Sequence, residues 1–277
     1  DTGNLSDELR KYIELYLEVV FDSPLNKNGV IIPHDEVVYL LDDQSVEHSN
    51  GCGLSGGNFT VGSFGQLMWL NLKFERTEFQ NCVQWMSDAL WRSIFTPERL
   101  KISAKKLISD VARTKRSPNY ISRSGLHFLN FKPHRSNHIE TNSMVQFKFL
   151  NSILERLESD PEAVVNEMNE FRRIITDPKT MRLHFTGDMY RVTRPKSELI
   201  ENFLPSELYP AASSAISTNH VPPAFESSKD LLTERALGRN HEKKGYIFPL
   251  ASTDSGYLTQ SCLGISDFNS KMRAPLL

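Results

Sequence analysis

Apolar residues recur at helical intervals through most of this chain and at intervals of two in only a few places. Leu9, Tyr12, Ile13, Tyr16, Leu17 and Val20 share one face of a 3.6-residue period. Ser6 precedes them as an N-cap, and Asp7 and Glu8 occupy the first turn, where the helix dipole favours carboxylates. Asp22-Ser23-Pro24 ends that helix, and a shorter one is predicted from Pro33 with Val37, Val38, Leu40 and Leu41 as its apolar residues. In "GQLMWLNLKFE" the period changes. Met68, Leu70, Leu72 and Phe74 alternate with Trp69, Asn71, Lys73 and Glu75, the pattern of a half-buried strand. Ser45, Val46, Glu47 and His48 are its expected partner across a glycine-permitted reversal.

Helical spacing then returns. Thr77 and Gln80 form a capping box before the stripe Phe79, Cys82, Val83, Met86, Leu90 and Ile94. Thr96 caps a helix with Pro97 in its first turn and Leu100, Ala104, Leu107, Ile108 and Val111 on its core face. A softer helix is expected near 119–131, and another near 142–158 with Met144, Phe147, Leu150, Leu154 and Leu157. Asp160-Pro161 opens one carrying Val164, Met168, Phe171 and Ile175, and Asp177-Pro178 stops it. Met181, Leu183 and Phe185 alternate as a closing strand that ends at Gly187-Asp188. Residues 1–192 thus read as one domain with an N-terminal helix. Residues 193–245, rich in Pro, Ser, Asn and Glu without a period, read as an interdomain linker, and 246–277 as the truncated start of a second domain.

A chain of 277 residues with 39% hydrophobic content is long enough to bury a sizeable core. Its net charge of −2 gives no global argument for nucleic acid or membrane, but the charges are segregated. Residues 1–50 carry eleven acidic and three basic side chains, and residues 97–135 carry two acidic and ten basic. The basic run from Lys101 through Arg116 into Arg123 and Arg135 has two readings, a solvated helix face or a surface for an anionic partner such as RNA. No nucleic-acid module signature accompanies it, and Tyr120, Phe128 and Phe131 read as core residues. Cys52, Cys82 and Cys262 are odd in number and form no C-x-x-C pair, which favours a reducing compartment, cytoplasmic with mitochondrial as the alternative. Neither a signal peptide nor a membrane span is read, and the Asp at position 1 suggests a piece of a longer protein.

Gly51, Gly53 and Gly56 match G-x-G-x-x-G, a spacing that holds a phosphate only where a helix follows. Here an extended stretch follows, so the glycines read as a turn or bulge between antiparallel strands. His134 and His138 stand four apart in "PHRSNH", but Asn137 occupies the position where an H-x-x-E-H motif has its glutamate base. Pro133, Ser136 and Asn137 favour a loop there, and no G-x-S-x-G elbow occurs. No catalytic residue and no metal ligand is assigned.

Four stretches, "GLSGGNFTVGSF", "FTPERLKISAKKLISDV", "MRLHFTGDM" and "PLASTDSGYLTQSCLGISDF", resemble in order the third domain of a pitrilysin/insulysin-type (inverzincin) zinc metallopeptidase. They are most similar to the eukaryotic, mostly fungal branch related to the presequence proteases, the last stretch resembling the first strands of the fourth domain. The resemblance implies an α+β fold, a two-layer unit in which an antiparallel sheet is covered by helices, followed by a linker and the truncated start of a further unit of that kind. It also implies a parent hydrolase whose two bowl-shaped halves enclose a chamber for proteolysis of peptides. The zinc motif of that family lies in its first domain and an Arg/Tyr pair late in its fourth, so the implied fragment is noncatalytic. It would have no cofactor of its own, with zinc in the missing N-terminal domain of the parent. Its implied partners are the N-terminal catalytic half of the same chain and, through the parent, a peptide substrate, with no nucleic acid and no membrane. On this reading Arg113, Lys115 and Arg116 line the chamber wall and favour acidic or C-terminal peptide groups, while Gly56 and Gly57 border the chamber. The alternatives are a catalytically silent scaffold or binding module with the same fold and, more distantly, a dinucleotide oxidoreductase.

Overall fold

A computed structural model describes residues 1–53, 64–188, 203–208, 231–233, 236, 245–250 and 255–260. The helix expected after Ser6 is two helices, α1 (Asp7–Arg10) and α2 (Ile13–Val19). Ser6 accepts the Leu9 amide as a cap should, but the Lys11 amide turns back to the carbonyls of Glu8 and Leu9 and closes α1 early. A hairpin absent from the sequence reading follows, β1 (Leu25–Lys27) paired with β2 (Val30–Ile32). Its turn residues Asn28 and Gly29 both have positive φ, 56° and 88°, as a two-residue hairpin loop requires.

The helix predicted from Pro33 is α3 (His34–Gln44), which buries Val37 and Leu41. The predicted strand pair is present as β3 (Glu47–Cys52) and β4 (Met68–Lys73), antiparallel in a register running from Glu47 opposite Lys73 to Cys52 opposite Met68. Met68, Leu70, Leu72 and Phe74 lean on the core, and Asn71 and Lys73 face water. The expected Thr77–Gln80 box gives way to a 3-10 turn, Arg76–Glu78, so α4 (Phe79–Ser87) starts at Glu78 with no side-chain cap bond. It runs into a π-type turn at Asp88–Arg92. Asp88 is fully buried there and pairs with Lys27 at 2.8 Å, tying the first hairpin to this turn.

Four helices with local caps make the frame: α5 (Pro97–Thr114), α6 (Pro118–Asn130), α8 (Ser143–Ser159) and α9 (Pro161–Ile175), with the one-turn α7 (Asn137–Glu140) between α6 and α8. Thr96, Ser117, Asn142 and Asp160 each accept an amide from the first turn they cap. Asp160 ends α8 as well as starting α9, so the two are joined without a spacer. α5 packs along α8, with α2 against α5 and α9 beside α8. Ile13, Tyr16, Leu100, Ala104, Leu150, Ile153, Val164, Met168 and Phe171 are buried between them. The Tyr16 ring meets Phe95 edge-on and lies tilted against Phe171.

The segregated charges meet across this frame. Glu18 pairs with Lys106 at 2.5 Å, Asp22 with Arg99, and Glu158 with Lys101 at 2.9 Å. The N-terminal segment is held by a buried polar hub. Arg10, 1% exposed, donates to the carbonyls of Thr2 and His134 and, at 2.8 Å, to Asn137 Oδ1. The Thr2 hydroxyl donates to the Gln66 carbonyl, and the α-amino group of Asp1 to that of Thr180.

The class is mixed helix and sheet, as α+β requires, with the described strands grouped in two separate two-stranded antiparallel sheets. The predicted closing strand is not formed, and residues 181–186 join no ladder. Met181 and Phe185 instead pack beside Val83 and Leu90 in a second apolar cluster, so their alternation serves side-chain packing without a partner strand. Phe203 and Leu204, from the stretch read as a linker, are buried in the same cluster. Leu231 is buried as well. Among the described residues no helix is long and apolar enough to cross a membrane.

Candidate functional site

One concavity among the described residues lies on α6. Pro118, Ile121, Ser122, Gly125, Leu126 and Leu129 recur at three- and four-residue intervals, so they share a face of that helix. Two segments, 245–250 and 255–260, lie across this face and enclose a groove of about 560 Å³. Tyr246 and Phe248 turn toward α6, while Ile247 between them is 95% exposed.

Two contacts seat the segments. A Cβ on Gly125 would come within 2.7 Å of Cε2 and 3.3 Å of Cζ of Phe248, so only a glycine leaves room for the ring as it lies. One helical turn earlier, the Ser122 and Thr259 hydroxyl oxygens are 2.8 Å apart. At the other end of α6, Leu231–Thr233 is tied on by backbone bonds, Lys132 N–H to the Leu231 carbonyl and Thr233 N–H to that of Asn130, both 2.8 Å. His127, Phe131 and His138 form a ring cluster there, with centroids 5.0–5.6 Å apart. Burial, with His127 alongside, pushes the His138 imidazole down to about 4; burial and Arg123 lower that of His127. Both rings are therefore neutral at pH 7.

The groove is lined by apolar, aromatic, hydroxyl and amide side chains, with no carboxylate, imidazole, thiol or amine among the described lining residues. Such a surface suits binding of an apolar group. The buried acid and thiols lie elsewhere. Burial, with Glu18 nearby, raises Glu14 of α2 to about 7, and burial, with Glu14 nearby, raises the thiol of Cys52. Burial also takes Cys82 up to about 11, which leaves both thiols protonated and unreactive at neutral pH.

The structure places the predicted residues as follows. Arg113 ends the exposed last turn of α5 and pairs with Asp110 at 3.3 Å. The Lys115 ammonium sits 4.5 Å from the centre of the Phe147 ring, and Arg116 is exposed beside it. All three precede Pro118, the first groove residue on α6, by two to five positions, and none of them lines the groove. Gly56 and Gly57 lie outside the described residues. Gly51 lies within β3, paired with Trp69, and Gly53 just beyond the strand has φ +70°, the turn conformation expected there. His134 and His138 do not share a helix face. His134 is in a turn with φ +64° and lies 3.1 Å from Glu140, while His138 belongs to α7 and the ring cluster. Asn137, the residue in place of a base, is fully buried and holds Arg10. No group of three or more His, Cys, Asp or Glu that could hold a metal occurs among the described residues.

The α6 face was missed by sequence reading. Its visible signal was Gly125 in the interior of a helix, where glycine costs stability unless something approaches closely.

No protein-family model matches the chain. It is 22% identical to the uncharacterized protein C3H1.02c of Schizosaccharomyces pombe over 283 residues, covering 97% of this chain and 25% of that protein. It is 24% identical to the uncharacterized protein C05D11.1 of Caenorhabditis elegans over 189 residues, covering 68% of this chain and 18% of that protein. The chain thus spans a quarter or less of the length of these relatives.

Proposed function

We propose that this chain is a noncatalytic segment of a longer zinc metalloendopeptidase of pitrilysin/insulysin type, contributing chamber wall and closure around peptide substrates. The observation that carries the reading is the ordered resemblance of four stretches spread from Gly53 to Phe268, supported by a relative that matches 97% of the chain within 25% of its own length. That proportion suits one unit of a four-domain chain. An α+β unit with a groove whose described lining is uncharged suits a wall that contacts peptide, and the two-layer architecture of the family belongs to the same proposal.

In such a peptidase a zinc ion bound in another domain supplies an activated water at the scissile carbonyl. On this reading the work assigned to this chain is binding and enclosure. The deciding experiment is recovery of the full coding sequence, followed by peptidase assay of the full-length protein. An H-x-x-E-H motif upstream and chelator-sensitive peptide cleavage are expected; a parent lacking the motif overturns the reading and leaves a catalytically silent module of the same fold.

A further inference from the structure

We propose that the outer edge of β2 is a docking site for an extended, arginine-bearing segment of a partner protein, which adds to the first hairpin as a third strand. Both the site and its occupant follow from this hairpin and α3, whatever the activity of the longer protein.

The register of the hairpin decides which backbone groups are free. Lys27 and Val30 close the two-residue loop and exchange their hydrogen bonds, so the next pair, Asn26 and Ile31, points its N–H and C=O groups away from the ladder. On the β1 side that outer edge is occupied, for Leu25 bridges Ser93 and the Ile94 amide donates to the Pro24 carbonyl at 2.7 Å. On the β2 side the Ile31 N–H and C=O have no partner among the described residues, and β2 ends a two-stranded sheet. Edge strands are commonly guarded by lysine, by proline or by a covering element. Here Val30 and Ile31 are 67% and 64% exposed, so an added strand would gain backbone bonds and cover apolar surface together.

Charge selects the occupant. Two extended residues and the first turn of α3 separate Ile31 from Asp35 and Glu36, which keeps both within about 14 Å of it. A strand laid beside Ile31 carries its residues two and three positions on by about 7–10 Å toward the α3 end of β2. Both carboxylates are exposed, and their two negative charges outweigh the roughly half positive charge of the helix N-terminus they occupy. Asp35 pairs with the His34 imidazole at 3.9 Å, and Lys27 on the neighbouring strand is turned to the buried Asp88. From Asn28 to Leu72 the sequence has no lysine or arginine, while Asp42, Asp43 and Glu47 add to the same sign. Tyr39, 67% exposed, stands one turn after Asp35 on the same side of α3, so a guanidinium paired with Asp35 can also lie on its ring. The same acids disfavour a second copy as the occupant, because pairing β2 with β2 across a twofold axis would set the carboxylates of both copies against one another.

The test is fluorescence anisotropy with the labelled peptide Ser-Gly-Arg-Thr-Val-Thr-Val-Thr-Arg-Gly-Ser, titrated with the 277-residue chain. Saturable binding is expected, about tenfold weaker when glutamate replaces both arginines, and the gap should shrink as salt is raised. N-methylation of the three central peptide residues should abolish binding, because it removes amides that a strand needs. Ile31→Pro should abolish it as well while leaving the melt close to that of the parent, since an edge strand accepts proline where its nitrogen faces water. Asp35→Lys with Glu36→Lys, both at exposed positions, should reverse the preference between the arginine and glutamate peptides. No saturable binding of the arginine peptide, or binding that survives N-methylation, overturns the open edge. Equal affinity for the two peptides, or indifference to the lysine pair, overturns the charge assignment. Dimerisation in sedimentation that Ile31→Pro abolishes makes a second copy the occupant and overturns the proposal.

Discussion

Replacing Gly125 with alanine sets two effects of opposite sign against each other. Alanine in a helix interior is favoured over glycine by about 0.8–1 kcal/mol, so α6 itself should gain. The new methyl would lie 2.7 Å from Phe248, whereas ordinary contact needs about 3.4 Å or more, so the ring must leave its seat. Phe248 is 39% exposed where it lies, and full burial of such a ring is worth about 1.5–3 kcal/mol, which puts roughly 1–2 kcal/mol of docking at stake. The two effects act on different processes: the first on global unfolding, the second on local release of 245–250. Gly125→Ala is therefore expected to melt within about 2 °C of the parent or slightly above it. Hydrogen exchange of peptides covering 245–250 should meanwhile quicken by about five- to thirtyfold, if this segment opens by itself. A melt lowered by many degrees with exchange unchanged would refute the reasoning, since the glycine would then be required by α6 and not by the ring.

Met168, fully buried among α2, α8 and α9, should cost about 2–5 kcal/mol when cut to alanine, read as a lower urea midpoint with unchanged slope. Asp88→Ala removes a fully buried carboxylate from Lys27, itself about a third exposed, and should cost about 3 kcal/mol, the low end for such pairs. Glu14 is raised to about 7 in the folded state from 4.5, so between those values the folded chain holds the extra proton and stability falls as pH rises; Glu14→Gln should flatten that slope and raise the urea midpoint at pH 8. His138, lowered to about 4 from 6.5, has the opposite effect: the unfolded chain takes the proton first, and stability is lost as pH falls from 6.5 toward 4. His138→Asn should flatten that acid limb in a pH series of melts.

What could be read from the sequence was whatever is decided within a few residues. Thr96 and Asp160 cap helices by bonding amides three positions on, and the strand ending at Phe74 shows its period without knowing its partner. The failures came where distant residues decide. Met181, Leu183 and Phe185 have a strand's alternation, but Val83 and Leu90 offer packing and no ladder. The break at Lys11 goes with an Arg10 drawn to Asn137, 127 residues away in sequence. Charge segregation was visible, and only the fold shows that Glu18 and Asp22 meet Lys106 and Arg99, two of the ten basic side chains between 97 and 135. The groove joins Ser122 to Thr259, 137 residues apart, and no local pattern records that meeting. The resemblance implies a chamber wall at Arg113, Lys115 and Arg116, and the structure places them at the end of α5 and just beyond it, outside the lining of a groove the sequence did not reveal.

The way the N-terminus is held has a consequence for synthesis. α2 is made before the helix that completes its cover, for Tyr16 rests on Phe171, and the backbone nitrogen of Asp1 bonds the Thr180 carbonyl, 179 positions later. At roughly 5–20 residues per second those partners follow about ten to thirty seconds behind. For that interval only α5 and Phe95 can cover Ile13, Leu15, Tyr16 and Val19, so the segment at the centre of the finished core waits on chain made late.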